Sequence, residues 1–238
     1  MISRAKFLGI TILFALVTKV IGEFVHEIMG HGFFILLFGG EIVRVHLSPL
    51  WPYELSYIQW KGNFEPWQQT WIAGGGILVC LIVTGILQFL LLLRFSKDWR
   101  LSIPLLWLSF WTFLNPTGYL IIGGVRPFGD IEALIADGVL VQSTSLLIGL
   151  LIFLAAFFSL SKVLTNQLIY TRMVKTIKEL RIALTTFWIT IPMATAITCL
   201  GMRMSPMHLQ IFTILSLTPL PGATLIPNLL KPCFSENK

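Results

Sequence analysis

Six stretches of this chain stay apolar for about twenty residues or more, the length a helix needs to cross the hydrocarbon core of a bilayer. They run from Lys6 to Phe38, Trp67 to Leu93, Ile103 to Ile122, Val139 to Leu160, Ile182 to Leu200 and Met207 to Leu229. The apolar residues fill these runs instead of recurring on one helical face, so lipid is the solvent they suit. Composition agrees: 55% of residues are hydrophobic and 12% charged, about half the charged share of a soluble domain. The expectation is an all-α polytopic membrane protein with about six transmembrane helices. The first run exceeds a bilayer crossing, so it must tilt, kink or protrude. The last carries Pro219, Pro221 and Pro227 and is the least helix-like.

Cations alternate between the connections. Arg4 and Lys6 precede the first span. Arg94, Lys97 and Arg100 follow the second, and Lys162, Arg172, Lys175, Lys178 and Arg181 follow the fourth. The other connections hold Glu41, Glu54, Glu65, Asp130, Glu132 and Asp137. This bias predicts a multi-pass integral membrane protein with both termini cytoplasmic. The net charge of +6 then reflects topology, not nucleic-acid binding. Residues 1–22 have a basic start and an apolar stretch, but no small-residue cleavage site follows Ala15, so the segment reads as an uncleaved span. Cys80, Cys199 and Cys233 lie too far apart for a paired-cysteine metal motif or a disulfide framework.

Between Gly39 and Pro66, two short β-branched segments, 42–47 and 55–60, flank Pro49, Pro52 and Glu54. They predict a small membrane-associated β-hairpin after the first span. Trp51, Tyr53, Tyr57, Trp60, Trp67 and Trp71 are expected at headgroup level. Over 161–181, Leu164, Leu168, Ile169, Met173, Ile177 and Leu180 oppose Lys162, Arg172, Lys175 and Lys178, which predicts a basic interfacial helix touching anionic lipid.

The first span holds the chemistry. Glu23, His26, Glu27 and His31 fall within nine residues of apolar sequence. Each charge at the centre of a span costs about 2.5–3.5 kcal/mol on the insertion scale, so such a cluster points to function. Two histidines beside a glutamate are the parts of a catalytic zinc site, with imidazole ligands and a carboxylate base. The zincin spacing, His-Glu-x-x-His, puts the histidines at i and i+4. Here they are at i and i+5, about 140° apart on a regular α-helix. One metal can take both only if the helix carries a π-bulge between them. Glu23-x-x-His26 also has the spacing of di-iron bundles, but neither His46 nor His208 has a glutamate three residues before it.

In order along the chain, His26-Glu-Ile-Met-Gly-His31-Gly, Gly39-Gly-Glu-Ile-Val-Arg-Val-His-Leu-Ser-Pro49, Trp71-Ile-Ala-Gly-Gly-Gly-Ile77, Leu114-Asn-Pro116 and Phe128-Gly-Asp130 resemble the motifs of the site-2 protease group. These are intramembrane zinc metalloproteases of the M50 type. The resemblance covers about the first 140 residues and implies a three-span metalloprotease-like core over 1–140, with 141–238 a separate C-terminal membrane region. It implies zinc bound by His26, His31 and Asp130, Glu27 as catalytic base, and Asn115 positioning the substrate or its oxyanion. It also implies a membrane-protein substrate that pairs with the strand at 43–47. Two departures stand out: the extra residue between the histidines, and a longer reach from Asn115 to Asp130 than the family shows. In addition, the cation bias puts the histidines in the outer half of the membrane, whereas the family usually holds zinc nearer the cytoplasm.

The residues have plainer roles open to them. Asp130 precedes Ile131-Glu-Ala-Leu-Ile and is placed to cap that helix, and the two roles are compatible. Glu132 and Asp137 are weaker substitutes as ligands. Glu23 is a candidate to hold His26 or His31 in one tautomer. His46 is expected to face solvent from its strand, and Asn115-Pro116 to break the third span. Two other functions fit the cluster: a proton or ion carrier or scaffold with a polar core and no enzymatic activity, and a metal hydrolase acting on lipid.

Overall fold

The computed structural model describes residues 4–48, 56–93, 98–170 and 173–188. Among these, four helices are long and apolar enough to cross a membrane: Gly9–Leu37, Pro66–Leu92, Arg100–Val125 and Gln142–Ile169. They coincide with the first four expected spans. The sixth expected span, 207–229, lies outside the described residues, as does the fifth beyond Trp188.

The first span is continuous but not uniform. Helix α1 (Arg4–Phe24) passes into a π-helical segment, Val25–Gly32, and then into α2 (Phe33–Leu37). Phe24 and Phe33 keep right-handed helical dihedrals, so the chain widens without breaking. After α2 the Gly40 N–H donates to the Ile35 carbonyl at 2.8 Å, and the chain turns into β1 (Glu41–His46). β1 pairs antiparallel with β2 (Tyr57–Lys61), with a register irregularity between Ile42 and Arg44. The expected hairpin is present within a residue or two of its expected bounds. Trp51 and Tyr53 lie outside the described residues.

Helix α3 (Pro66–Leu92) starts with a proline and a capping box, in which Gln68 and Glu65 satisfy each other's backbone N–H groups. Helix α4 (Trp99–Val125) runs through Pro104 and Pro116, so the break expected at Asn115-Pro116 does not occur. In apolar surroundings a broken helix exposes several backbone groups, whereas one proline removes a single bond. A short helix, α5 (Gly129–Ala136), leads to α6 (Gln142–Tyr170) and α7 (Ile177–Trp188).

The expected interfacial helix over 161–181 is corrected here. Its first half prolongs the fourth span to Tyr170, and α7 begins separately at Ile177. Leu164, Leu168 and Leu180 are buried in the main core with Phe110, Phe113, Leu160 and Trp188. Protein therefore surrounds these leucines where the sequence pattern suggested lipid. The Trp188 indole N–H then donates to Ser161 Oγ at 2.9 Å, tying α7 to α6.

Side-chain pairs show that consecutive spans run in opposite directions. His31 meets Ile72 and His26 meets Cys80, so the first span and α3 are antiparallel. Trp111 donates to the Ala15 carbonyl and Tyr119 stacks on His26, so α4 is parallel to the first span and antiparallel to α3, to which Thr84 joins it by donating to Thr112 at 2.9 Å. Ser145 donates to the Leu120 carbonyl at 2.8 Å and Phe153 meets Phe113, so α6 is antiparallel to α4. The hairpin joins α2 to α3 and α5 joins α4 to α6, so both sit at one end of the bundle. Lys19, buried in α1, donates to the Ser48 carbonyl at 2.7 Å and ties the hairpin to the first span.

Backbone meets backbone between the π-helical segment and α3. A Cβ on Gly30 would lie 2.4 Å from Gly76 Cα, and one on Gly75 would lie 3.0 Å from the Gly30 carbonyl oxygen. The two backbones touch there, and neither can give way. Gly30→Ala should therefore lower stability by about 1–3 kcal/mol. Gly85→Ala, in α3 and with nothing within 4 Å, should be neutral or gain up to about 1 kcal/mol. Thermal melts of the two variants in detergent, followed by circular dichroism, test the contrast.

Candidate metal centre

The π-helical segment does what the sequence spacing required. Its wider turn brings His26 and His31 onto one side, with their Nε2 atoms 3.2 Å apart and their rings edge to face. Both imidazoles are buried, while Met29, between them in sequence, is 46% exposed. The surplus residue is thus turned outward, and the ring pair faces the bundle.

Asp130 completes a triangle. Its Oδ2 lies 3.2 Å from His26 Nε2 and 3.4 Å from His31 Nε2. The capping role open to it is not taken: Phe128 is the N-cap of α5, and Asp130 sits in the first turn with its carboxylate toward the imidazoles. With its carboxylate turned to the two ring nitrogens, Asp130 makes no cap to the α5 backbone. Burial pushes the Asp130 carboxyl up, and the contacts with His26 and His31 outweigh this and hold it well below the usual carboxylate range.

His26, His31 and Asp130 together can hold a metal ion. Ligands about 3.3 Å apart surround a tetrahedral centre at about 2.0–2.1 Å, and the triangle has sides of that size. Asp130 Oδ2 is buried without a hydrogen-bond partner among the described residues, an orphaned acceptor facing the two ring nitrogens. His31 is also oriented for ligation. Its Nδ1 lies 2.6 Å from the Ile72 carbonyl, which can only accept, so Nδ1 carries the proton and the Nε2 lone pair points into the triangle. At Gly76 a Cβ would sit 2.5 Å from His26 Cε1 and 2.8 Å from both ring nitrogens, so only glycine leaves room for the other imidazole.

No protein-family model, curated protein or solved structure matches this chain. What the site can do is read from its own atoms.

Glu27 is buried, and it follows His26 directly in the π-helical segment. Glu23, expected to steady an imidazole, instead pairs with Lys19 at 3.4 Å. A cation one turn away on the same helix is the nearer partner. Asn115 lies on the α4 face that carries Thr112 and Tyr119, and its Oδ1 is buried without a hydrogen-bond partner among the described residues. Glu132 is exposed, and Asp137 accepts from Thr70 Oγ1 at 3.1 Å, so neither substitutes for Asp130. His46 is half-buried against the Tyr57 ring, short of the solvent-facing position expected of it.

Two contributors were not foreseen. The Tyr119 ring stacks on His26 with centroids 5.2 Å apart, and Cys80 Sγ lies 3.9 Å from His26 Nδ1. Neither stands at a motif position, and helix rotation alone brings both to the site.

If the π-helical segment accommodates one surplus residue, removing that residue should leave the site intact. Deleting Met29 places the histidines at i and i+4, where an ordinary α-helix aligns them. The expected outcome is retained metal stoichiometry, read by elemental analysis of the purified protein. Deleting Val17, which turns the rest of α1 by about 100°, should abolish it.

Proposed function

We propose that this chain is an intramembrane zinc metalloprotease that hydrolyses peptide bonds of membrane-protein substrates. The observation that carries this reading is the buried triangle of two imidazole nitrogens and one carboxylate oxygen, with sides of 3.2, 3.2 and 3.4 Å. Three such donors, with a second carboxylate beside them, are the donor set of a catalytic zinc site that keeps one position for water. Zinc bound there supplies a Lewis acid and a water with its pKa lowered to about 7.

The chain's own residues supply the rest. Glu27 accepts the proton of the attacking water on its carboxylate and returns it to the leaving amine nitrogen. His31, held by the Ile72 carbonyl, presents a fixed lone pair. Asn115, whose buried Oδ1 has no partner among the described residues, hydrogen-bonds the substrate near the scissile amide. A helical substrate must unwind before its amide can be attacked, because its backbone groups are already bonded. The hairpin offers an unwound segment a place to pair, with Val43 and Val45 exposed on β1. The cation bias puts the hairpin end of the bundle on the outer face of the membrane.

Elemental analysis of the purified full-length protein should find about one zinc per chain. The His26→Ala, His31→Ala double variant should lose it. Glu27→Gln should keep the metal and lower cleavage of labelled casein and of transmembrane peptides by at least about a hundredfold. Equal zinc content in the double variant and the wild type would sink the metal assignment and leave the polar-core carrier or scaffold as the better reading. Zinc-dependent cleavage of lipid esters without peptide cleavage would move the substrate class to lipid.

A further inference from the structure

The two histidines are held by different means. His31 has a short hydrogen bond from Nδ1 to a helix carbonyl. Among the described residues His26 has on its Nδ1 only a thiol at 3.9 Å, a weak partner that does little to fix a ring plane. A ring so held needs another constraint, and α4 provides it. Tyr119 lies over His26 at 5.2 Å with the planes 16° apart. Phe128 lies over Tyr119 at 5.1 Å with the planes 15° apart. The three near-parallel rings form a column from the first candidate ligand to the residue two places before the third.

The chain path explains why a column is needed there. Helix α4 does not stop at the level of the site. From Tyr119 it continues to Val125, about 9 Å further along its axis. Arg126, Pro127 and Phe128 then bring the chain back so that Asp130 reaches the histidines. The turn is made at Gly129, which has φ +52° and whose Cβ, if present, would lie 3.0 Å from Tyr119 Cε1. The third ligand therefore rides on a returning segment, and Tyr119 is the surface against which that segment is seated.

We infer that Tyr119 is a positioning residue of the metal centre: stacked between His26 and Phe128, it sets the plane of the first ligand and the placement of the segment that carries Asp130. This rests on the metal-binding reading given above and adds a residue to it. The stacked ring does the positioning, so Tyr119→Phe keeps the function. Loss of the ring leaves His31 in place but lets His26 rotate and Asp130 withdraw.

The test uses cobalt(II), titrated into chelator-stripped full-length protein in detergent and read by its visible d–d absorption. Wild type should bind with the intense bands of a four-coordinate ion. Tyr119→Leu should weaken binding about 10–100-fold and shift those bands, and Tyr119→Phe should restore both. Phe128→Leu, outside the spans, should weaken binding about 10-fold and decides the matter if Tyr119→Leu does not fold. Binding within about twofold of wild type in Tyr119→Leu, or in Phe128→Leu where the first variant is lost, overturns the inference and leaves the metal reading standing. A Tyr119→Phe variant as weak as Tyr119→Leu overturns it too, because the hydroxyl would then be the working group. A wild type that binds no cobalt brings down the metal reading itself.

Discussion

The backbone contact between the π-helical segment and α3 is the constraint on which the rest of this structure depends. Gly30 and Gly76 meet with no side chain between them, and Gly75 packs against the Gly30 carbonyl and Phe34. Because the helices approach this closely, the His31 ring reaches the Ile72 carbonyl on the neighbouring helix. That carbonyl can only accept, so it fixes the proton on His31 Nδ1 and leaves Nε2 a directed lone pair. The space left by the missing Cβ of Gly76 is taken by the His26 ring. The glycine run therefore does more than permit packing. It makes room for one imidazole and brings the other to its acceptor.

Much of this was legible in the sequence, and for identifiable reasons. The histidine spacing at i and i+5 could serve one ion only through a widened turn, and the widened turn is there, over Val25–Gly32. The hairpin was legible because β-branched residues flanked by prolines leave few alternatives. Asp130 was legible as a ligand candidate only through the resemblance, since its position before a helix suits a cap equally well. Tyr119, Cys80 and the Lys19–Glu23 pair were not legible. Each depends on how a span is rotated about its axis, and a run that is apolar all round carries no periodic signal of its rotation. The length of α6 was hidden for a related reason. Basic residues after Leu160 suggested a membrane surface, while the intervening leucines are buried in a core that only the tertiary structure reveals.

The polar groups buried in the spans are distributed by task. Thr84 with Thr112, Gln88 with Ser159, and Ser145 with the Leu120 carbonyl join neighbouring helices. Lys19 and Glu23 satisfy each other one helical turn below the histidines, and Lys19 also anchors the end of the hairpin. These pairs consume their own hydrogen-bonding capacity. Among the described residues the Thr11, Ser109 and Thr165 hydroxyls are also buried without a partner, beside Asp130 Oδ2 at the two imidazoles and Asn115 Oδ1 on the α4 face that carries Tyr119. The carboxylate and amide oxygens can only accept, so an incoming donor or cation is what would satisfy them.

Two of the three candidate ligands ride on a membrane-crossing helix, and the third is on α5, a short helix outside the four spans. The crossing helix follows the thickness of the bilayer by tilting, whereas a short helix at the end of the bundle follows its surface. Here, though, Ile131 and Leu134 of α5 pack with Ile77 and Leu120 of the spans, so the short helix is seated in the bundle. The triangle is therefore closed by the docking of a separate helix, and its third corner lasts only as long as that docking does.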